Sequence, residues 1–283
     1  MKIILTGANG QLGRCFRDLV SETDTVLALG SQELDISNRQ AVLETAKQFQ
    51  PDIIINAAAY TAVDKAESEP ERAAEVNSHG PENLALAAKA VGARLVHVST
   101  DYVFDGTGST PYLETDAVNP LGVYGQTKLA GELLVRSILP DAIIVRTAWV
   151  FSEYGNNFVK TMLRLAKDRP ELGVVGDQVG CPTYAGDIAA AILKMVAADA
   201  AGGIYHYCGD SSVSWAEFAQ AIFAEGEKSG MLARQPKVNH ITTDQYPTPA
   251  KRPAYSVLST ARVSEFYPAS DWQAALVKII PVL

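Results

Sequence analysis

The chain has 283 residues, 47% of them apolar and 20% charged, with a formal net charge of −8 and a pI near 5.1. Those values describe a globular protein with a sizeable core and exclude a disordered chain. The acidic balance argues against nucleic acid as a partner, and no apolar run approaches the roughly 20 residues that span a bilayer, which argues against a membrane partner.

Short apolar runs alternate with helical patterns from the start. Strands are predicted at Lys2–Thr6, Thr25–Leu29, Asp52–Ala57, Arg94–Ser99 and Ala142–Thr147, and helices at Gln11–Ser21, Asn38–Gln50, Pro81–Val91 and Thr127–Leu139. The strands are continuously apolar rather than alternating, so both faces should be buried. Strands alternating with helices build parallel βαβ units, so the expected fold is α/β, a Rossmann-like doubly wound parallel sheet. After about residue 150 the segments become less regular. Asn156–Lys167 and Asp187–Ala197 still read as helices, and Pro236–Pro253 with its four prolines reads mostly as loop. The expected division is a dinucleotide-binding domain over 1–150, with a candidate late strand near 172–176, and a smaller substrate-binding lobe over 151–283.

Between the first strand and the first helix lies Gly7-Ala-Asn-Gly10-Gln-Leu-Gly13. Glycines there let the backbone turn tightly, approach a pyrophosphate and pack the helix on the sheet, while the helix N-terminus offers free N–H groups. Gly7, Asn9, Gly10, Gln11, Leu12 and Gly13 are therefore candidate cofactor contacts; the plain alternative is an ordinary Gly/Asn turn. The second strand ends Leu29-Gly30-Ser31, with no carboxylate for a ribose 2′-hydroxyl. Ser31 suits a 2′-phosphate and Arg14 lies in the first turn after the glycines, so NADPH is expected, with NADH tolerated. Asp35 and Ile36 are candidates to flank the adenine; otherwise Asp35 starts the next helix.

Tyr124 and Lys128 stand four apart in a helical stretch, on one helix face. A neighbouring ammonium stabilises phenolate, so the pair suits proton transfer in carbonyl reduction, with Lys128 expected to lower the Tyr124 pKa. With 11 Tyr and 12 Lys in the chain, chance alone supplies roughly half such a pair, so its weight depends on context. Thr100 follows an apolar strand, where a parallel sheet gathers ligands, and its hydroxyl can polarise a carbonyl. Cys15, Cys181 and Cys208 show no paired metal spacing and are expected to be reduced, buried thiols in a cytoplasmic protein. The opening Met1–Gly7 is too short to be a secretory signal. The four histidines form no metal-like cluster, and His97, inside Leu-Val-His-Val, reads as a packed core residue.

This combination resembles the extended, nucleotide-sugar-modifying branch of the short-chain dehydrogenase/reductase superfamily. Asn56-Ala-Ala-Ala-Tyr-Thr-Ala-Val-Asp-Lys-Ala-Glu-Ser-Glu-Pro70, Ser99-Thr-Asp-Tyr-Val-Phe-Asp-Gly106, Val123-Tyr-Gly-Gln-Thr-Lys-Leu-Ala-Gly-Glu132, Arg146-Thr-Ala-Trp-Val150 and Gly155-Asn-Asn-Phe-Val-Lys-Thr-Met-Leu163 are similar to the dTDP-4-dehydrorhamnose reductase family. Gly180-Cys-Pro-Thr183 and Tyr246-Pro-Thr-Pro-Ala-Lys-Arg-Pro253 continue the similarity over nearly the whole chain. The resemblance implies Thr100, Tyr124 and Lys128 as catalytic residues. It also implies Ala57, Ala58, Ala59 and Tyr60 as borders of the cofactor, and Val63, Tyr102 and Trp149 as walls of a sugar pocket. Asn157 and Arg252 are added as candidate contacts to sugar or diphosphate oxygens. The implied reaction is reduction of a dTDP-4-keto-6-deoxy sugar, the last step of dTDP-rhamnose synthesis. Another ketosugar reductase, an epimerase, or a regulatory subunit like that of methionine adenosyltransferase are the alternatives. Some relatives form metal-bridged dimers through a glutamate where this chain has Cys15 and acidic residues where it has Ala185-Gly186-Asp187. No structural metal is therefore expected, and the chain should be a monomer or weak homodimer.

Overall fold

A computed structural model describes residues 1–283. In chain order the first part comprises β1 (Lys2–Thr6), α1 (Gln11–Leu19), β2 (Thr25–Leu29), α2 (Arg39–Phe49), β3 (Ile53–Asn56), α3 (Val63–Ala66), α4 (Pro70–Ala74), α5 (Gly80–Val91), β4 (Arg94–Thr100), α6 (Val123–Ile138) and β5 (Ile143–Thr147). Then come β6 (Val150–Phe151), α7 (Phe158–Asp168), β7 (Glu171–Val175), β8 (Val179–Gly180), β9 (Thr183–Tyr184), α8 (Ala185–Ala197), β10 (Gly203–His206), β11 (Val213–Ser214), α9 (Trp215–Lys228), β12 (Lys237–Ile241) and α10 (Trp272–Ile279).

The main sheet has six parallel strands in the order β10-β5-β4-β3-β1-β2. Its apolar strands are buried on both faces, as expected. On one face Ile3, Leu5, Ile55 and Val145 pack against Phe16 of α1 and Ile188 and Ile192 of α8. On the other, Ile4, Ile54 and Ile144 meet Val42 of α2, Leu84 and Ala88 of α5 and Val135 of α6. The strand order turns back at β1, between β2 and β3, and ligands gather beyond the carboxyl ends of strands at such a switch point.

Two expectations need correction, the sheet of the late strand and the start of α6. The late strand near 172–176 exists as β7, but it pairs in parallel with β12 in a separate two-stranded sheet. The sixth strand of the main sheet is β10 instead, so chain beyond residue 150 completes that sheet. Pro236–Pro253 is mostly loop, as expected, with Lys237–Ile241 supplying that partner strand and Thr243–Gln245 a short turn of 3₁₀ helix. Helix α6 starts at Val123 rather than Thr127, which places both Tyr124 and Lys128 on it. A second core, built from α7, α9, α10 and β7 around Phe218, Phe223 and Trp272, forms the remaining lobe.

Candidate active site

The loop after β1 is shaped by contacts that leave no room for side chains. Gly7 has φ +70, and a Cβ there would lie 2.5 Å from the backbone of Ala57 and Ala58, beyond the end of β3. At Gly13 a Cβ would come within 2.2 Å of the Gly7 carbonyl oxygen, so this glycine packs α1 onto the loop rather than facing a ligand. Gly10 caps α1, whose first turn carries no acidic side chain to neutralise its positive end. The loop opens onto a cleft of about 620 Å³ whose walls include Gly7, Asn9, Gly10, Gln11 and Leu12. Ser31, Asp35, Ile36, Ala57, Ala58 and Ala59 line the same cleft, as do Tyr124 and Lys128. Its size suits a dinucleotide, and Gly7 and Gly10 bring bare backbone to its wall at the N-terminus of α1, which has no side-chain cap. Tyr60 is held apart from the cleft lining: its hydroxyl donates to Glu69 and its amide to Asn77 Oδ1.

At the end of β2 the charges differ from the expected pattern. Arg14 lies over the Tyr154 ring, 5.6 Å from its centroid, and does not line the cleft. Glu33 turns back to accept from the Gly30 amide at 2.8 Å, and Asp35 accepts from the amide and hydroxyl of Ser37. A cation that does border the cleft is Arg72 of α4, which adds to the Ser37 hydroxyl in lowering the Asp35 pKa and is ion-paired with Glu75 at 2.8 Å. Arg72 was not among the residues singled out from sequence; it lies in a helix left unassigned there, and its approach to β2 is purely tertiary.

Tyr124 and Lys128 lie one turn apart on α6; Lys128 is buried and Tyr124 is partly exposed where it lines the cleft. Lys128 Nζ donates to the Val98 carbonyl at 2.7 Å. Burial brings its pKa down to about 8, against a smaller upward pull from Glu132. Tyr124 moves the other way from expectation. Burial pushes its phenol up; the Thr100 hydroxyl offsets part of this, while Asp101 and Tyr102 add to it. Desolvation of the phenolate dominates this shift, and the Lys128 ammonium is engaged with the Val98 carbonyl. Thr100 is buried and its hydroxyl donates to Asp101 Oδ1 at 3.0 Å. Asp101 is itself buried, which raises its pKa to about 6 despite the Thr100 and Ser256 hydroxyls, and its Oδ2 has no partner.

The cationic form of Lys128 is present below about pH 8 and is lost as pH rises through that value. If that cation is required, kcat/KM for the free protein should fall on the alkaline side with a midpoint near 8. Stability should change in the opposite sense: the unfolded chain keeps this proton up to its ordinary pKa of about 10.4, so the group's contribution rises over that window. An activity profile flat to about pH 10 would contradict the requirement for the charge.

Behind this pair sits a buried ionic network. Glu132, one turn after Lys128, accepts from the Ser99 hydroxyl and from Arg146 Nε and a terminal nitrogen, the latter at 2.7 Å. His206, brought down to about 3 chiefly by burial, accepts weakly from Arg146 and donates from Nδ1 to the Tyr112 carbonyl. His97 is fully buried, as expected, with Nδ1 on the Asn56 amide and Nε2 unpartnered. Cys15, Cys181 and Cys208 are buried free thiols, and Asp187 is committed to the Ser270 hydroxyl at 2.6 Å.

The residues expected around a sugar divide into three groups. Tyr102 meets Tyr124 edge to face, centroids 5.3 Å apart, and its hydroxyl accepts from Arg252 at 3.1 Å. Arg252 is also paired with Asp64 at 2.8 Å, the residue after Val63, so Tyr102 and Arg252 link Tyr124 to the short helix that opens with Val63. Arg252 further borders a second cleft of about 460 Å³ in the other lobe, with Phe158, Trp215, Gln178 and Tyr246. Asn157 does not join them. Its Oδ1 caps α7 by accepting from the Lys160 amide, and its Nδ2 donates to Ser152 O and Gln11 Oε1. It ties the glycine loop to the second lobe, leaving no free amide for sugar or phosphate. Trp149 itself lines neither cleft, but Val150 after it lines the first, and Trp215, stacked on it, lines the second. Its φ of +47 is in the left-handed region, which costs a bulky side chain on the order of 1–3 kcal/mol.

Comparison with known proteins gives a consistent picture. The sequence pattern described as the RmlD substrate binding domain matches residues 1–283. A dTDP-4-dehydrorhamnose reductase of Aggregatibacter actinomycetemcomitans is 50% identical over 287 aligned residues, covering 98% of each chain. The crystal structure of a dTDP-4-dehydrorhamnose reductase from Clostridium acetobutylicum is 43% identical with a TM-score of 0.94, covering 100% of this chain and 99% of that one. One from Bacillus anthracis, solved in complex with NADP, is 38% identical with a TM-score of 0.93 and the same coverage.

Proposed function

Because the chain belongs to the RmlD substrate binding domain family, we propose that it is an NADPH-dependent reductase. The reaction is reduction of the 4-keto group of dTDP-6-deoxy-L-lyxo-4-hexulose to give dTDP-L-rhamnose. The observation that carries this reading is the Tyr124–Lys128 pair in the wall of a glycine-loop cleft, with Thr100 beside the phenol. The reading is tested by following NADPH consumption against this keto sugar. An epimerase would turn sugar over without net consumption.

Bound NADPH supplies the hydride. Tyr124 is the proton donor to the developing alkoxide; burial holds its phenol protonated but makes the proton harder to give up, so the phenolate must be stabilised. The phenolate left behind then needs a cation, and Lys128 on the same helix face is the one at hand. Thr100 supplies a second hydroxyl at the carbonyl, and Asp101 orients it. Asp101 is followed by Tyr102, without the Asp-Glu pair a dehydratase uses for elimination. Tyr102 and Arg252 carry contact from the reacting end into the second cleft, where apolar walls and a guanidinium suit the base and diphosphate of the nucleotide. We place the enzyme in the cytoplasm, without structural metal, as a monomer or weak homodimer.

For the cofactor, Arg72, lining the same cleft as Ser31, is the group suited to a 2′-phosphate. Its half-exposed guanidinium already pairs with Glu75, so a phosphate would share it rather than find it free. Arg72→Ala should weaken NADPH binding to the free protein by about 10-fold or more, as expected for a lost charge-assisted hydrogen bond. NADH binding should stay within about twofold. Calorimetric titration of both nucleotides checks this, and equal losses for the two would refute the assignment.

A further inference from the structure

Trp149 and Trp215 are stacked with ring centroids 3.4 Å apart and planes 7° from parallel. The Trp149 indole also presses on Gly180, where a Cβ would lie 2.5 Å from its Cε2 and 2.6 Å from its Nε1. The same missing Cβ would lie 2.8 Å from the Ser256 hydroxyl, which faces Asp101 beside Thr100. The indole thus lies within two side chains of the reacting hydroxyls while its stacking partner forms a wall of the second cleft. Ordinary core packing explains neither the left-handed backbone of Trp149 nor the fact that both indoles remain only half-buried. A strained position persists where surrounding structure over-determines it, and the Trp149 indole is in contact with both Gly180 and Trp215.

We propose that Trp215 is a positioning residue: stacked on Trp149, which also touches Gly180, it holds that indole in the orientation that admits the keto sugar. The proposal rests on the reading that the sugar lies against Trp149, and it adds the residues that aim that indole. Trp215 sits at the first position of α9, capped by the reciprocal Ser214–Glu217 hydrogen bonds, and Phe158 flanks it at 4.7 Å. Its ring is therefore anchored from the lobe that forms the second cleft, so an occupant of that cleft and the indole beside the reacting centre share one aromatic stack.

The test uses the full-length protein and two substitutions that disturb the indole through its two contacts. Trp215→Leu removes the partner; Gly180→Ala pushes the indole while leaving Trp215 in place. Each should raise KM for the keto sugar by about tenfold, with NADPH dissociation within about twofold of the parent. Trp215→Phe, which keeps an aromatic face, should recover most of the loss and controls for folding. The free proteins supply a second readout. The chain has three tryptophans, and the third, Trp272, stands edge to face on Phe218 instead. An exciton couplet in the circular dichroism spectrum therefore reports the Trp149–Trp215 pair; it should vanish in Trp215→Leu and change in Gly180→Ala. Loss of the couplet with KM unchanged in both variants would overturn the proposal. If Trp149→Leu folds and leaves KM unchanged, the underlying reading of Trp149 fails, and the proposal with it. If Trp149→Leu alone raises KM, that reading stands and only the role of Trp215 and Gly180 is refuted.

Discussion

Replacing Tyr124 by Phe is expected to lower kcat by about 10²–10⁴-fold, the usual contribution of a single general acid, while leaving NADPH binding nearly unchanged. The change removes one oxygen. The ring keeps its edge-to-face contact with Tyr102, and α6 keeps its buried face. The lost atom is the phenol oxygen whose proton is held tightly by burial and whose neighbour is the Thr100 hydroxyl. Loss of kcat without loss of cofactor affinity would place the effect in the chemical step. Stopped-flow turnover combined with titration of NADPH separates the two quantities. Near-normal turnover would mean that the proton comes from elsewhere, Asp101 through Thr100 being the nearest alternative.

Glu132→Ala is expected to cost about 3–5 kcal/mol of stability, the cost of leaving one partner of a buried ion pair uncompensated. Glu132 and Arg146 are only 1% and 3% exposed in their side chains, so water cannot take the place of the lost carboxylate. Against a typical total of about 5–15 kcal/mol, that leaves the fold marginal. The site should change as well. Ser99 loses its acceptor one residue before Thr100, and Lys128 loses the carboxylate that raises its pKa. The alkaline limit of activity should therefore move below its parent value near 8. Chemical denaturation at several pH values measures both effects, and the double replacement Glu132→Leu with Arg146→Met should recover much of the stability. A loss under about 1 kcal/mol for Glu132→Ala alone would show that Arg146 finds other partners.

The parts of this protein legible from sequence are those whose cause is local. The glycine loop follows an apolar strand and opens a helix, and its glycines stand where the backbone leaves no room for Cβ atoms. Helix α2 could be bounded closely because Asn38 caps it and Gln50 ends it in a left-handed conformation. Helix α6 was placed too late because Gly122 caps it without any side-chain hydrogen bond, so its start carries no local signal. The pairing of β7 with β12 joins segments some 66 residues apart, from Glu171 to Lys237, and no local pattern reports it. Strand β10 was missed for a similar reason, being four residues long beside two glycines.

The same division runs through the site. Tyr124 and Lys128 were visible as a spacing, yet the direction of the Tyr124 shift depends on burial, which spacing does not contain. Asn157 looked like a free polar group after a glycine turn; its amide is in fact spent on the α7 cap and on Gln11. Arg72 could not be connected to the end of β2 from sequence, because the two come to line one cleft only in the folded chain.

The most direct test follows the transferred hydrogen. With NADPH carrying deuterium at its transferable position and the dTDP-4-keto-6-deoxy sugar as substrate, deuterium should appear at C4 of dTDP-L-rhamnose as NADPH is consumed in step. Product lacking that deuterium, or an altered keto sugar formed with no NADPH consumed, would contradict the account.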